Sequence, residues 1–133
     1  LGEEERAREG FEAALRLLAA QVQVTPDDAR YHSSLGVAYA GLGRKDEAVR
    51  EGLRGVELLP MSKDAIYGIP YIIDLAHIYT LVGNSEKAVE QLEFLLSHPG
   101  WISVPWLKAD PRWRQLQGNP SFEALLAKYE LKQ

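Results

Sequence analysis

At 133 residues and 46% hydrophobic, the chain is long enough for one domain with a real core. A formal net charge of −4 provides no basic field for nucleic acid or an anionic membrane surface. The absence of cysteine excludes a disulfide framework and a thiolate zinc site, and no apolar run approaches the ~20 residues of a membrane span.

The first predicted element is a helix reaching Val24. Glu3, Glu4 and Glu5 suit a helix N-terminus. Phe11, Ala14, Leu15, Leu18 and Val22 recur at three- and four-residue steps and make one face apolar. Thr25-Pro26-Asp27-Asp28 ends it, because Pro26 lacks an N–H and clashes with a preceding turn. Asp27 or Asp28 then caps a helix from about Asp28 to Ala40. Gly41-Leu42-Gly43 supplies a turn, and a partner helix follows over Lys45 to Leu59 with Ala48, Val49, Leu53, Val56 and Leu59 inward. Gly52 and Gly55 each cost about 1 kcal/mol relative to Ala in a helix interior, so they read as points of close helix approach.

These spacings recur. Ala14-x-x-x-Leu18 followed by Pro26 repeats Ala48-x-x-x-Gly52 followed by Pro60, 34 residues on. The first helix thus reads as the second half of an earlier unit. After Ser62, a suitable cap, come Ile72-x-x-Leu75-Ala76-x-x-Tyr79, Gly83, Ala88-x-x-x-Leu92 and Pro99-Gly100. Leu35 and Leu75 stand 40 apart, six more than the repeat. This predicts a first helix lengthened by more than a turn, kinked or divided at Pro70. Ser85 caps its partner, which runs to about Ser97 with Ala88, Val89, Leu92, Leu95 and Leu96 inward. Beyond Gly100 the spacing stops. Ser103, Asp110 and Asn119 are capping residues near Pro105, Pro111 and Pro120. They predict two short helical turns and a final helix from about Pro120 to Tyr129. Trp101, Trp106, Trp113 and Phe122 supply apolar area for a cap over the open end of the last hairpin.

The run His32-x-x-Leu35-Gly36-x-x-Tyr39, Ala48-x-x-x-Gly52 and Pro60 resembles a tetratricopeptide repeat, with His32 where the pattern has Trp and Gly52 where it has Phe. Both departures are expected to loosen the packing. The resemblance implies an all-α fold, a right-handed superhelix of antiparallel helical hairpins with a C-terminal helical cap. The units would be a partial repeat over 1–28, a repeat over 29–62, a lengthened repeat over 63–100 and a Trp-rich capping segment over 101–133. Val104-Pro105-Trp106-Leu107, Asp110-Pro111-Arg112-Trp113 and Asn119-Pro120-Ser121-Phe122-Glu123-Ala124-Leu125-Leu126 resemble the C-terminal end of large bacterial signalling proteins. Those carry a protein kinase, a nucleotide cyclase or a DNA-binding regulator ahead of such repeats. The chain, opening on Leu1 inside a helical pattern, is accordingly read as a piece of a longer protein. With no signal-peptide pattern and no cysteine, the expected compartment is the cytoplasm, or the periplasm if the parent has a membrane span upstream.

No catalytic constellation emerges. His32 occupies a packing position, His77 lies one turn after Asp74 without a third ligand, and His98 in a turn is expected to be solvated. Ser33 and Ser34 have no nucleophile elbow around them. Gly41-Leu42-Gly43-Arg44-Lys45 lacks the phosphate-loop spacing. No enzyme activity, metal or cofactor is expected. The resemblance instead implies a concave face lined by the first helix of each hairpin. It would be formed by Arg30, Ser33, Ser34, Val37 and Ala40, then Tyr67, Tyr71, Asp74, His77, Ile78 and Thr80. Some family members grip a peptide carboxylate with Lys, Asn and Arg. Here Ser33, Val37, Ile73 and His77 hold comparable places, so that clamp is absent. The expected partner is a mixed apolar and polar peptide, a helix or the parent's own effector domain, with no nucleic acid and no membrane insertion. The alternative is homo-oligomerisation, a homodimer included, through an exposed solenoid end, where the first helix as a half repeat would leave an apolar side uncovered.

Overall fold

The computed structural model describes residues 2–59 and 65–131, and regular structure among them is entirely helical. Helix α1 (Glu3–Val24) begins with Glu3, Glu4 and Glu5 in its first turn, where carboxylates offset the helix dipole. Its expected apolar stripe of Phe11, Ala14, Leu15, Leu18 and Val22 is only half-buried, and no α1 residue is fully buried. The reason is one-sided packing, since the main neighbour of α1 is helix α2 (Ala29–Gly41). Gly41 accommodates this contact, because a Cβ there would strike the ring of Phe11.

Asp28 caps α2 by accepting the Arg30 N–H at 3.0 Å. Gly43, at φ +79°, turns the chain, and helix α3 (Lys45–Leu58) packs back along α2. Gly52 and Gly55 are indeed points of close approach. A Cβ on Gly55 would lie 3.2 Å from the Ser33 backbone nitrogen, and one on Gly36 would lie 2.9 Å from the Ala48 carbonyl oxygen. The seam runs through Ala48, Gly52 and Gly55, all buried. Leu53, expected inward, is instead 47% exposed. It follows Gly52 by one residue, about 100° around the helix, and so leaves the seam.

Helix α4 (Ala65–Leu81) is longer than α2, 17 residues against 13. Leu75 stands ten residues from its start and Leu35 six from the start of α2, which is the predicted extra turn. Pro70 does not divide α4. It is exposed and removes only the bond to the Ile66 carbonyl in the early turns. Ser62 and the boundary at 62–63 lie outside the described residues. Gly83, at φ +85°, makes the next turn. Helix α5 (Ser85–Leu96) buries Ala88, Val89, Leu92, Leu95 and Leu96 as expected. Its cap is Asn84 rather than Ser85: Asn84 has the non-helical backbone, and its side chain accepts the Lys87 N–H at 3.2 Å.

The two departures from repeat spacing are compensated rather than loose. A Cβ on Gly36 or on Gly52 would each lie 2.7 Å from Ile78 Cδ1. The hollow left by these glycines is therefore filled by Ile78 from α4, which is 0% exposed. His32 is 7% exposed. Its Nδ1 lies 2.5 Å from a Glu51 carboxylate oxygen and its Nε2 2.5 Å from the Pro26 carbonyl oxygen. The ring thereby ties the α1–α2 turn to α3.

The tail forms helix α6 (Val104–Ala109), the 3-10 helix η1 (Pro111–Leu116) and helix α7 (Pro120–Glu130). Ser103, Asp110 and Asn119 all cap with their side chains. Trp113, Leu116, Phe122 and Leu126 share one core with Ile72, Leu75, Leu92 and Leu95. Helix α4 packs on α2 and α3, η1 packs on α4, and α7 packs on α5. The tail thus covers the second hairpin as that hairpin covers the first.

Candidate partner-binding face

A line of polar groups crosses α2, α4 and η1. Ser33 Oγ, on α2, donates to Asp74 Oδ2 on α4 at 2.8 Å. His77, one turn beyond Asp74, meets the ring of Trp113 edge-on with centroids 6.2 Å apart. Arg112 of η1 acts electrostatically on both Asp74 and His77.

Arg112 is held from two sides. Asp110 accepts its backbone N–H at 2.9 Å and its Nη2 at 2.6 Å. The guanidinium also lies 5.3 Å from the Trp106 ring centre and 5.7 Å from that of Trp113, within cation–π range. Its hydrogen bonds to Asp110 run through Nε and Nη2. Nη1 makes none among the described residues. The arrangement repeats one at the start of α2. There Asp28 accepts the Arg30 N–H at 3.0 Å and Nη2 at 2.7 Å. Asp28-Ala29-Arg30 and Asp110-Pro111-Arg112 are thus the same cap.

The surroundings set the protonation states. Burial pushes the Asp74 carboxyl up, opposed by the Ser33 hydroxyl and by Arg112. Burial, with Arg112 adding to it, pulls His77 below its usual range, so its imidazole is neutral at neutral pH. The Arg112 hydrogen bonds hold Asp110 low, and Arg30 does the same for Asp28.

The sequence-predicted residues divide accordingly. Asp74 and His77 are half-buried on this line. Arg30 is exposed and paired with Asp28, with Tyr71 close enough to act on it electrostatically. Ser34 and Tyr67 are exposed. Val37 is half-buried and packs toward Ala40, Ala48 and Ile78. The expectations for five residues are corrected. Ser33 is 1% exposed, consumed by its bond across to Asp74. Ile78 is core, drawn into the Gly36–Gly52 hollow. Ala40 and Thr80 are buried, Thr80 Oγ1 donating to the Ala76 carbonyl at 2.8 Å. His98, expected in solvent, is half-buried and stacks on Trp101 with rings 3.9 Å apart and 6° from parallel.

Arg112 and Trp106 do not stand out in the sequence as candidates for this face, since Asp110-Pro111-Arg112-Trp113 registers as a capped turn. The available signal was the recurrence of Asp-x-Arg at the start of α2.

One guanidinium, one carboxylate and one neutral imidazole stand beside indole surface, a set that can donate and accept hydrogen bonds. Ser33 is too buried to serve as a nucleophile. No group of three His, Asp or Glu residues suited to a metal occurs among the described residues. No described helix is long and apolar enough to cross a membrane. Compared with family models, with curated proteins and with solved structures, the chain finds no match in any of the three.

Proposed function

We propose that this chain is a protein-interaction module of tetratricopeptide-repeat type. It would form a right-handed superhelix of hairpins that docks a peptide, a helix or its parent's effector domain on the α2–α4–η1 face. The proposal includes a cytoplasmic, non-enzymatic role within a larger bacterial signalling protein.

The observation that carries it is the Asp74–His77–Arg112 line. Holding a carboxylate and an imidazole half-buried works against their own hydration, and apolar residues would join these helices at lower cost. Groups perturbed in this way cluster at binding and catalytic sites. The repeated Asp-x-Arg cap supports the repeat reading, because it gives the tail the entry geometry of a further unit.

The test is selection from a displayed random peptide library against the whole chain, followed by calorimetric titration of the enriched peptides. Asp74→Asn and Arg112→Met should each weaken binding about tenfold or more, equivalent to about 1.4 kcal/mol, with circular dichroism unchanged. Failure of any peptide to enrich, or binding by both variants as tight as that of the unsubstituted chain, would refute the assignment of this face.

A further inference from the structure

Both ring nitrogens of His32 face oxygen. Nε2 lies 2.5 Å from the Pro26 carbonyl oxygen and Nδ1 2.5 Å from Oε2 of Glu51. A carbonyl only accepts, so Nε2 carries a hydrogen. An ionised carboxylate also only accepts, and a neutral imidazole has no second hydrogen to give it. The contact between Nδ1 and Glu51 therefore holds one proton more than a neutral ring and an ionised glutamate supply. Imidazole is ordinarily the stronger base of the two, at about 6.5 against about 4.3. That proton belongs on Nδ1, and the contact is an imidazolium–carboxylate ion pair.

The surroundings suit a cation. The ring faces the 25–28 turn on one side and α3 on the other. The turn brings Asp27 and Asp28, and α3 brings Asp46, Arg50, Glu51, Arg54 and Glu57 around the hollow beside the ring. With Arg30 bound to Asp28, the five carboxylates here outnumber the three guanidiniums. The last turn of α1, Gln21 to Val24, brings no charge. Asp28, held low chiefly by Arg30, is lowered by His32 as well.

We propose that this shared proton is a latch: while it is bound, the His32–Glu51 pair fastens the α1–α2 turn to α3, and its loss as pH rises releases the C-terminal end of α1. A deprotonated ring has one hydrogen for two acceptors. Its bare nitrogen then faces an oxygen inside a mostly buried contact, and a buried acceptor left without a donor is costly. Little else holds the element that would be released. Helix α1 buries no residue fully and packs mainly on α2, with Phe11 against Gly41. The remaining polar link from the turn to α3 among the described residues is the 3.5 Å contact of Arg54 with Asp27, whose side chain is 84% exposed. The folded contact exists only with the proton bound, so its contribution is present at mildly acid pH and lost as pH rises. His77 acts with the opposite sign, since burial pulls it down, and the two histidines are thereby told apart. The latch needs no ligand and is independent of the α2–α4–η1 face.

The test combines nitrogen-15 magnetic resonance of the histidine rings with amide hydrogen exchange, on the whole chain, from about pH 5 to about pH 9, which brackets the imidazole range. At the acid end both His32 nitrogens should carry hydrogens, and one should be lost as pH rises. Over the same interval the last turns of α1 and the 25–28 turn should exchange faster relative to α4 and α5, after correction for intrinsic base catalysis. The expected change is about tenfold or more, the worth of one charge-assisted hydrogen bond. Glu51→Gln supplies the control. Its amide accepts from a protonated ring and donates to a neutral one, so α1 should then follow α4 and α5 at every pH. A His32 ring neutral throughout in the folded chain would overturn the proposal. So would a ring that loses its proton with no change in α1, or an α1 response equal in Glu51→Gln and the unsubstituted chain. The ring and exchange measurements need no substitution, so they decide the matter even where Glu51→Gln does not fold.

Discussion

Adding one methyl group at Gly52 probes the joint between the two hairpins. In an open helix the change to Ala is favourable by about 1 kcal/mol. Here the new Cβ would stand 2.7 Å from Ile78 Cδ1 and 3.2 Å from Leu75 Cδ1. Ile78 is 0% exposed, and the same Cδ1 lies against Gly36, so it has little room to withdraw. Overpacking of this kind costs about 1–3 kcal/mol. Gly52→Ala should therefore be neutral to destabilising, by up to about 2 kcal/mol, where propensity alone predicts a gain. Ile78→Val removes the clashing methyl at a cost of about 0.5–1.5 kcal/mol. Within the Ile78→Val background, Gly52→Ala should become stabilising. Urea denaturation of the four chains gives the coupling directly. Gly10→Ala, where a Cβ meets nothing within 4 Å, supplies the propensity reference. The socket reasoning is refuted if Gly52→Ala stabilises the otherwise native chain as much as Gly10→Ala does, or if the coupling is zero.

His32→Leu should destabilise by about 1–3 kcal/mol, because it strands the Glu51 carboxylate and the Pro26 carbonyl; hydrogen exchange should speed up in α1 before α4 or α5. Asn119→Ala removes the acceptor for the Ser121 and Phe122 N–H groups, at 3.0 and 3.2 Å, and should cost about 1 kcal/mol in a thermal melt. Asp74 binds its proton more tightly folded than unfolded, so its contribution to stability is present below its ordinary value of 3.8 and lost as pH rises through the folded value. Asp74→Asn, whose amide oxygen can still accept from Ser33, should thus raise stability at neutral pH while weakening peptide binding; melts in which the variant is less stable at neutral pH would contradict the burial argument. His77 is shifted down, so its contribution is present above 6.5 and lost as pH falls below it; His77→Gln should flatten that part of the stability–pH curve.

Several features were legible before any coordinates because they are local. The glycine turns at Gly43 and Gly83 need positive φ, which few other residues adopt. The caps at Asp28, Ser103, Asp110 and Asn119 bond to backbone groups two or three residues away. The stripe that makes α5 amphipathic needs only its own spacing. Asn84 took the cap from Ser85 because both are good cap residues one position apart, and the exact backbone angle decides between them. The candidate face was half-legible. Asp74 and His77 could be seen one turn apart on a helix, but neither the Ser33 hydroxyl, 41 residues away, nor Arg112 could be joined to them from spacing alone.

The chain by itself determined an all-helical architecture, the order and approximate ends of its helices, and a tail whose prolines and caps make short turns, since each follows from interactions within a few residues. Only the tertiary structure decided what stands in the places the pattern leaves empty. At Gly52 the missing bulk is a property of one residue, but its replacement by Ile78 depends on how α4 lies across α2 and α3. The same dependence turned Ser33 from a displayed residue into a buried donor and brought a tail arginine beside Asp74 and His77. Side chains on different helices compete for one volume, and that competition is settled by packing in three dimensions, which helical periodicity does not encode.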